Sequence, residues 1–173
     1  MARTIDASFT SEASVEQVGN TFGQRTYWLD RIAAFGGGIA LDTFDRADDG
    51  TVTVTTSQDL RRDALPGALG KLYPADLTIH RYERWRPTGP REFAGDIDVR
   101  AVGAPLTGSG TAFLAAEGAG SRLTFAGTVA FKLPVVGGRI EGYLAAQMRQ
   151  AIADLNSFTA AWIADNPQSR SAT

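Results

Sequence analysis

The residues in this chain that could carry chemistry are few, and their spacing limits what they can do together. His80 is the one histidine and cysteine is absent, which removes multi-histidine zinc sites, thiolate metal sites, cysteine nucleophiles and disulfides. A Ser-His-Asp arrangement would have to use His80, but no G-x-S-x-G elbow accompanies it. His80 therefore reads as a surface or rim residue. The glycine clusters at 36–38, 108–110 and 137–142 match neither G-x-x-x-x-G-K-[ST] nor a strand-to-helix G-x-G-x-x-G, and read as turns and bends. No metal or cofactor is expected.

The strand-like stretch "DLTIHRYERWR" holds the most informative pair. With Leu77, Ile79 and Trp85 inward on a period of two, Arg81 and Glu83 share their face. If buried, the two pair, and such a pair can orient a polar ligand group or shift a pKa for acid–base work. The alternative is that they lie at an open sheet edge, or that a bulge turns Tyr82 inward instead. Asp96 and Asp98 alternate with Ile97 and Val99 and should face water as solubility charges. Tyr143, in "KLPVVGGRIEGYL", has a hydroxyl that either meets a ligand or packs on a neighbouring loop.

The elements that must position these groups follow from periodicity. Residues 3–9 alternate as a strand, with Ile5, Ala7 and Phe9 on one side. Ser14 with Gln17 three residues on forms a capping box, opening a helix that ends near Gly23. "RTYWLDRIAAF" is a second helix, with Trp28, Ile32 and Phe35 in one stripe and three glycines to stop it. "IALDTFDRA" and "GTVTVTTSQDL", separated by "DDG", read as a hairpin whose Val52, Val54 and Thr56 face one way. Residues 61–74, bracketed by prolines, form a loop or short helix. Four more strand-like segments follow with short glycine- and proline-rich connections, which favours antiparallel neighbours. In the last, Leu123, Phe125, Gly127, Val129 and Phe131 share the apolar face. From Gly138 to about Ala164, Leu144, Met148, Ala151, Leu155, Phe158 and Trp162 recur at helical spacing, widened by Ile140, Ile152, Thr159 and Ile163. Such a helix is roughly 40 Å long at 1.5 Å per residue.

An antiparallel sheet of six or seven strands with one apolar face needs a cover, and only the last helix is long enough. The sheet should curl around it and leave a ligand cavity between. Gly95, Gly110 and Gly127 inside strands suggest bending or a bulge. Pro134 would end the last strand, Gly137 and Gly138 would reverse the chain, and the first turn of the helix would stand at the cavity rim. Phe93, Ile97, Phe125, Phe131, Leu144 and Met148 are then candidate pocket walls.

This layout, with "ASVEQV", "YWLDRIAAFG", "TTSQDLRRD", "HRYERW" and "KLPVVGGRIEGYL", resembles domain-of-unknown-function family 2505, an actinobacterial family. That family belongs to the START-like, helix-grip superfamily of polyketide cyclases and lipid-transfer domains. The resemblance covers about residues 1–166 and implies an α+β helix-grip fold: a curved antiparallel sheet around a long C-terminal helix, with two short helices after the first strand. It also implies a gate at the junction before that helix, against the plainer reading of a strand-to-helix corner.

A net charge of −2 at 173 residues provides no basic field for nucleic acid, and no segment has signal-peptide or membrane-span character. The expectation is a single cytoplasmic domain over residues 1–166 with a disordered tail at 167–173, monomeric or weakly dimeric. Its expected function is to bind or carry a hydrophobic small molecule, a lipid, acyl chain or polyketide-like compound, with Arg81, Glu83, Trp85, Phe93, Ile97, Phe125, Phe131, Tyr143, Leu144 and Met148 as ligand-binding residues. The alternatives are an enzyme of cyclase, dehydratase or hydrolase type using Arg81, Glu83 or Tyr143 in the same cavity, and an interaction protein with a filled core.

Overall fold

Alternating strands separated by tight turns can satisfy their backbone groups only by pairing with chain neighbours, and they do so here. The computed structural model describes residues 2–61 and 76–167; the segment read above as a loop or short helix lies, beyond Arg61, outside the described residues. The elements are β1 (Arg3–Ser11), α1 (Val15–Phe22), α2 (Arg25–Phe35), β2 (Ile39–Arg46), β3 (Val52–Leu60), β4 (Leu77–Gly89), β5 (Glu92–Val102), β6 (Leu106–Glu117), β7 (Gly120–Phe131) and α3 (Gly137–Asp165). The strands form one curved antiparallel sheet in the order β1-β7-β6-β5-β4-β3-β2. The first strand is thus stitched to the last, from Arg3 opposite Val129 to Ser11 opposite Ser121.

Local signals set the helix ends. Ser14 caps α1 reciprocally: its hydroxyl accepts from the Gln17 amide at 3.2 Å, and the Gln17 side chain accepts from the Ser14 amide at 2.9 Å. Gly36, with φ of 60°, terminates α2. In α2 the buried residues are Tyr27 and Trp28, while Phe35 at the end of the expected stripe is 43% exposed and stacks edge-on with Phe158 at 5.7 Å. The β2–β3 turn closes through Ala47 and Thr51, with Gly50 at φ 84°.

The apolar face of the sheet carries Ile5, Val52, Val54, Ile97, Leu114, Phe125 and Val129, all buried. The helix α3 lies chiefly on β1 and β7. Its buried residues are Gly137, Ile140, Glu141, Ala145, Thr159, Trp162 and Ile163, and Ala151 from the expected stripe is exposed. The true contact line is therefore rotated toward the residues that were expected only to widen it. Among the described residues no helix is long and apolar enough to cross a membrane.

Of the two expectations for the strand glycines, bending or a bulge, the bulge is absent at these positions. The β5–β6 and β6–β7 registers run unbroken past Gly95, Gly110 and Gly127. A Cβ on Gly95 would fall 2.7 Å from the Trp85 ring, and one on Gly110 would fall 2.4 Å from the Phe125 ring. Two aromatic rings come too near these backbone positions for any side chain to fit, the close approach that glycine permits.

Candidate functional site

The sheet's period of two decides the fate of the charged pair on β4. Pairing between β3 and β4 is continuous from Leu60 opposite Leu77 to Val52 opposite Trp85, with no bulge. Arg81, Glu83 and Trp85 therefore all point to the inner face, and Tyr82 points outward. Of the two readings left open by the sequence, the inward one holds. β4 is also flanked on both sides, by β3 and β5, so it is not an edge.

Glu83 is 4% exposed and is surrounded by N–H donors. Arg31, reaching across from α2, donates to Glu83 Oε1 at 2.8 Å, and Arg81 Nε donates to the same oxygen at 2.7 Å. The Trp85 indole N–H donates to Oε2 at 3.0 Å. Arg31 also lies over the Trp28 ring, 4.8 Å from its centroid, where the ring quadrupole attracts a cation. Burial alone would push Glu83 up, but Arg31, then Arg81 and the Trp85 hydrogen bond, outweigh it and hold the carboxyl at about 2. Burial also pulls both guanidiniums down. For Arg31 the adjacent carboxylate reverses the sign, whereas Arg81, repelled in addition by Arg31, stays below the ordinary arginine value. Arginine remains cationic at neutral pH, so this cluster holds two positive charges against one negative.

Next to it Tyr27, buried, exchanges a 2.8 Å hydrogen bond with Thr159 of α3, and burial pushes its hydroxyl pKa up. Phe22, Tyr27, Trp28, Trp85, Phe158 and Trp162 are linked ring to ring at 4.7–6.0 Å. The Trp28 N–H donates to the Phe22 carbonyl and the Trp162 N–H to Asp30, so each buried indole dipole is satisfied.

Against this aromatic wall lies a cavity between the sheet, α1, α2 and the C-terminal half of α3. It measures about 70 Å³, room for about two waters at the roughly 30 Å³ each takes in the liquid, compared with about 300–1,000 Å³ for a drug-sized site. Its walls are mostly apolar, including Phe22, Trp85, Ile97, Leu114, Phe125 and Ile152, and the charged residues on it are Arg31 and Arg81. Of the residues named from sequence, Arg81, Trp85, Ile97 and Phe125 border the cavity. Glu83 stands directly behind Arg81 through the ion pair. Phe93 is buried elsewhere, against Gly19. Phe131, at the end of β7, and Tyr143, Leu144 and Met148, in the N-terminal half of α3, do not border it. The contributions of Tyr27, Arg31 and Thr159 went unforeseen. A signal did exist, since Arg31 follows Tyr27 by four residues and Trp28 by three, on the face that the two buried aromatics define.

The junction before α3 does not open onto this cavity. Phe131 N–H donates to the buried Glu141 carboxylate at 2.9 Å, tying the end of β7 to the first turns of α3. The chain reverses at Val135, φ 70° and fully exposed, rather than at Gly137 or Gly138. Gly137 is needed for space, because a Cβ there would fall 2.4 Å from the Phe131 carbonyl oxygen. Of the two readings of this junction, the geometry is that of the strand-to-helix corner, held by the Phe131–Glu141 bond. Asp96 and Asp98 lie on the outer face, Asp96 paired with Arg86, and His80 is exposed. Among the described residues no cluster of three or more His, Asp or Glu side chains could hold a metal ion.

A seven-stranded curved antiparallel sheet laid against a long C-terminal helix, with two short helices after the first strand, is the START-like, helix-grip architecture. Solved structures share it: a protein from Thermus thermophilus superposes with TM-score 0.61 at 14% identity, covering 94% of this chain and 98% of its own. A START superfamily protein from Mycobacterium smegmatis superposes with TM-score 0.51 at 11% identity, covering 94% and 97%. Sequence narrows the assignment further. The chain belongs to the family described as "Protein of unknown function (DUF2505)", whose model matches residues 6–163. Uncharacterized proteins of Mycobacterium tuberculosis and Mycobacterium bovis are 35% identical over 173 residues, covering 96% of this chain and 99% of theirs.

Proposed function

We propose that this domain binds a small, largely apolar molecule between the sheet and the C-terminal half of α3. The observation that carries the reading is the cavity beside the aromatic wall: apolar on most sides, bordered by two guanidiniums, and left open where α3 rests on β1 and β7 rather than over β4 and β5. At about 70 Å³ the space is smaller than the roughly 150 Å³ that takes up a benzene, so even a single ring or a short chain enters only as the walls give way. A lipid, long acyl chain or polyketide-like guest fits only if α3 moves off the sheet. The enzymatic alternative needs an acid or base that exchanges protons near neutral pH. Glu83 is held ionised well below that range and Tyr27 is pushed above its ordinary value, so the described residues of the cluster favour binding over proton transfer.

Thermal-shift and native mass spectrometry screens of small aromatic and short-chain compounds test the proposal. Binders should raise Tm in proportion to RT ln(1 + [L]/Kd). Ala112→Leu, which adds a branched side chain to a cavity wall, should abolish binding while leaving the far-ultraviolet circular dichroism spectrum unchanged. Binders that hold equally well to Ala112→Leu would place the site elsewhere and overturn the assignment.

A further inference from the structure

Resting on that binding reading, we propose that the cavity's ligand carries an anionic group, a carboxylate, that docks on the terminal nitrogens of Arg81. The first support is the hydrogen-bond inventory. Arg81 uses Nε on Glu83, and among the described residues its two terminal nitrogens have no hydrogen-bond partner, although the side chain is only 31% exposed and borders the cavity. Arg31, by contrast, is committed: both of its terminal nitrogens face the Glu83 carboxylate, at 2.8 and 3.5 Å, and its plane is held over Trp28. Arg31 and Glu83 form the fixed base, and Arg81 is the group with donors to spare.

The second support is charge. Arg31, Arg81 and Glu83 leave one positive charge without a counter-charge, and among the described residues none that borders the cavity is a carboxylate. A guanidinium that is two-thirds withdrawn from water without a full counter-charge is under-compensated, and burial and Arg31 both weaken the hold of Arg81 on its proton. A carboxylate would neutralise the cluster and could take two parallel N–H bonds from the planar fork, the geometry at which arginine excels. The third support is rigidity. Glu83 holds Arg81 through Nε, and Trp85 holds Glu83 in turn, so the guanidinium is fixed at one nitrogen before any ligand arrives. The chemical class that follows is a small aromatic or short-chain carboxylic acid with its apolar body toward Phe125, Ile97 and Leu114.

The test compares acids with their neutral isosteres. Benzoate, phenylacetate and hexanoate, each beside its primary amide, are titrated into the full chain by calorimetry at pH 7. The acids should bind at least about tenfold tighter than the amides. Arg81→Gln should erase that preference while keeping the affinity for the amides, and Arg81→Lys should restore part of it. If Arg81→Gln fails to fold, the arginine side-chain ¹⁵N resonances of the wild type serve instead, and the acids but not the amides should shift one guanidinium signal. Amides that bind as tightly as acids would overturn this inference and leave the binding reading standing. Neither class binding at millimolar concentration would overturn both.

Discussion

Replacing Glu83 with glutamine keeps the shape of the side chain and removes the carboxylate that faces both Arg31 and Arg81. Arg31 suffers most, because its side chain is only 13% exposed and both of its paired nitrogens face this carboxylate. Arg81, at 31%, can recover part of its loss from solvent. Removing one partner of a buried ion pair typically costs about 3–5 kcal/mol, because an uncompensated charge is left behind. With the Trp28 face still available to Arg31, a loss at the lower end of that range, about 3 kcal/mol, is expected. At about 2–4 °C per kcal/mol for a chain of this size, Tm should fall by roughly 6–12 °C. The expected urea midpoint falls with it at unchanged slope. A second substitution isolates the cause: Arg31→Met in the Glu83→Gln background removes the orphaned charge, and the double variant should recover to within about 1 kcal/mol of wild type. If Glu83→Gln lies within about 1 kcal/mol of wild type, or if Arg31→Met makes it worse, the cluster is not the electrostatic unit described above.

Acid should act on the same carboxylate. Its pKa in the folded chain is about 2 against 4.5 for an unperturbed glutamate, so below pH 4.5 the unfolded chain binds the proton that the folded chain refuses. The stabilisation is complete above 4.5 and is lost as pH falls toward 2; the difference amounts to about 3 kcal/mol, and denaturant melts at stepped pH should show the wild-type advantage over Glu83→Gln shrinking through that window. Ser14→Ala removes the reciprocal cap of α1 and should cost about 1 kcal/mol, read as a Tm loss of about 2–4 °C. Val135→Gly should do the opposite: a β-branched residue at φ 70° with a fully exposed side chain gives up strain of about 1–2 kcal/mol against a glycine entropy cost of about 0.5–1 kcal/mol, so a gain of up to about 1.5 kcal/mol in chemical denaturation is expected.

The amino-acid sequence by itself determined the order of elements and most of their faces, because those depend on neighbours within a few residues. The Ser14 capping box, the stop at Gly36, the shared face of Val52 and Val54, and the alternation from Leu123 to Phe131 are all local, and periods of about 2 and 3.6 express them directly. The sequence also stated the puzzle of Arg81 and Glu83, since strict alternation allows them only one face. What it could not state was the partner that makes their burial tolerable: Arg31 is 52 residues away in the chain, and only the packing of α2 beside the sheet brings it there. The same holds for the cavity's position. Which half of α3 stands clear of the sheet depends on how that helix crosses β1 and β7, and a stripe of apolar residues along its full length is compatible with a hollow at either end. Tertiary structure put the hollow toward Thr159 and tied the Glu141 end to β7, where the carboxylate accepts the Phe131 N–H, while at the other end the Tyr27 ring of α2 packs on Phe158 and Trp162.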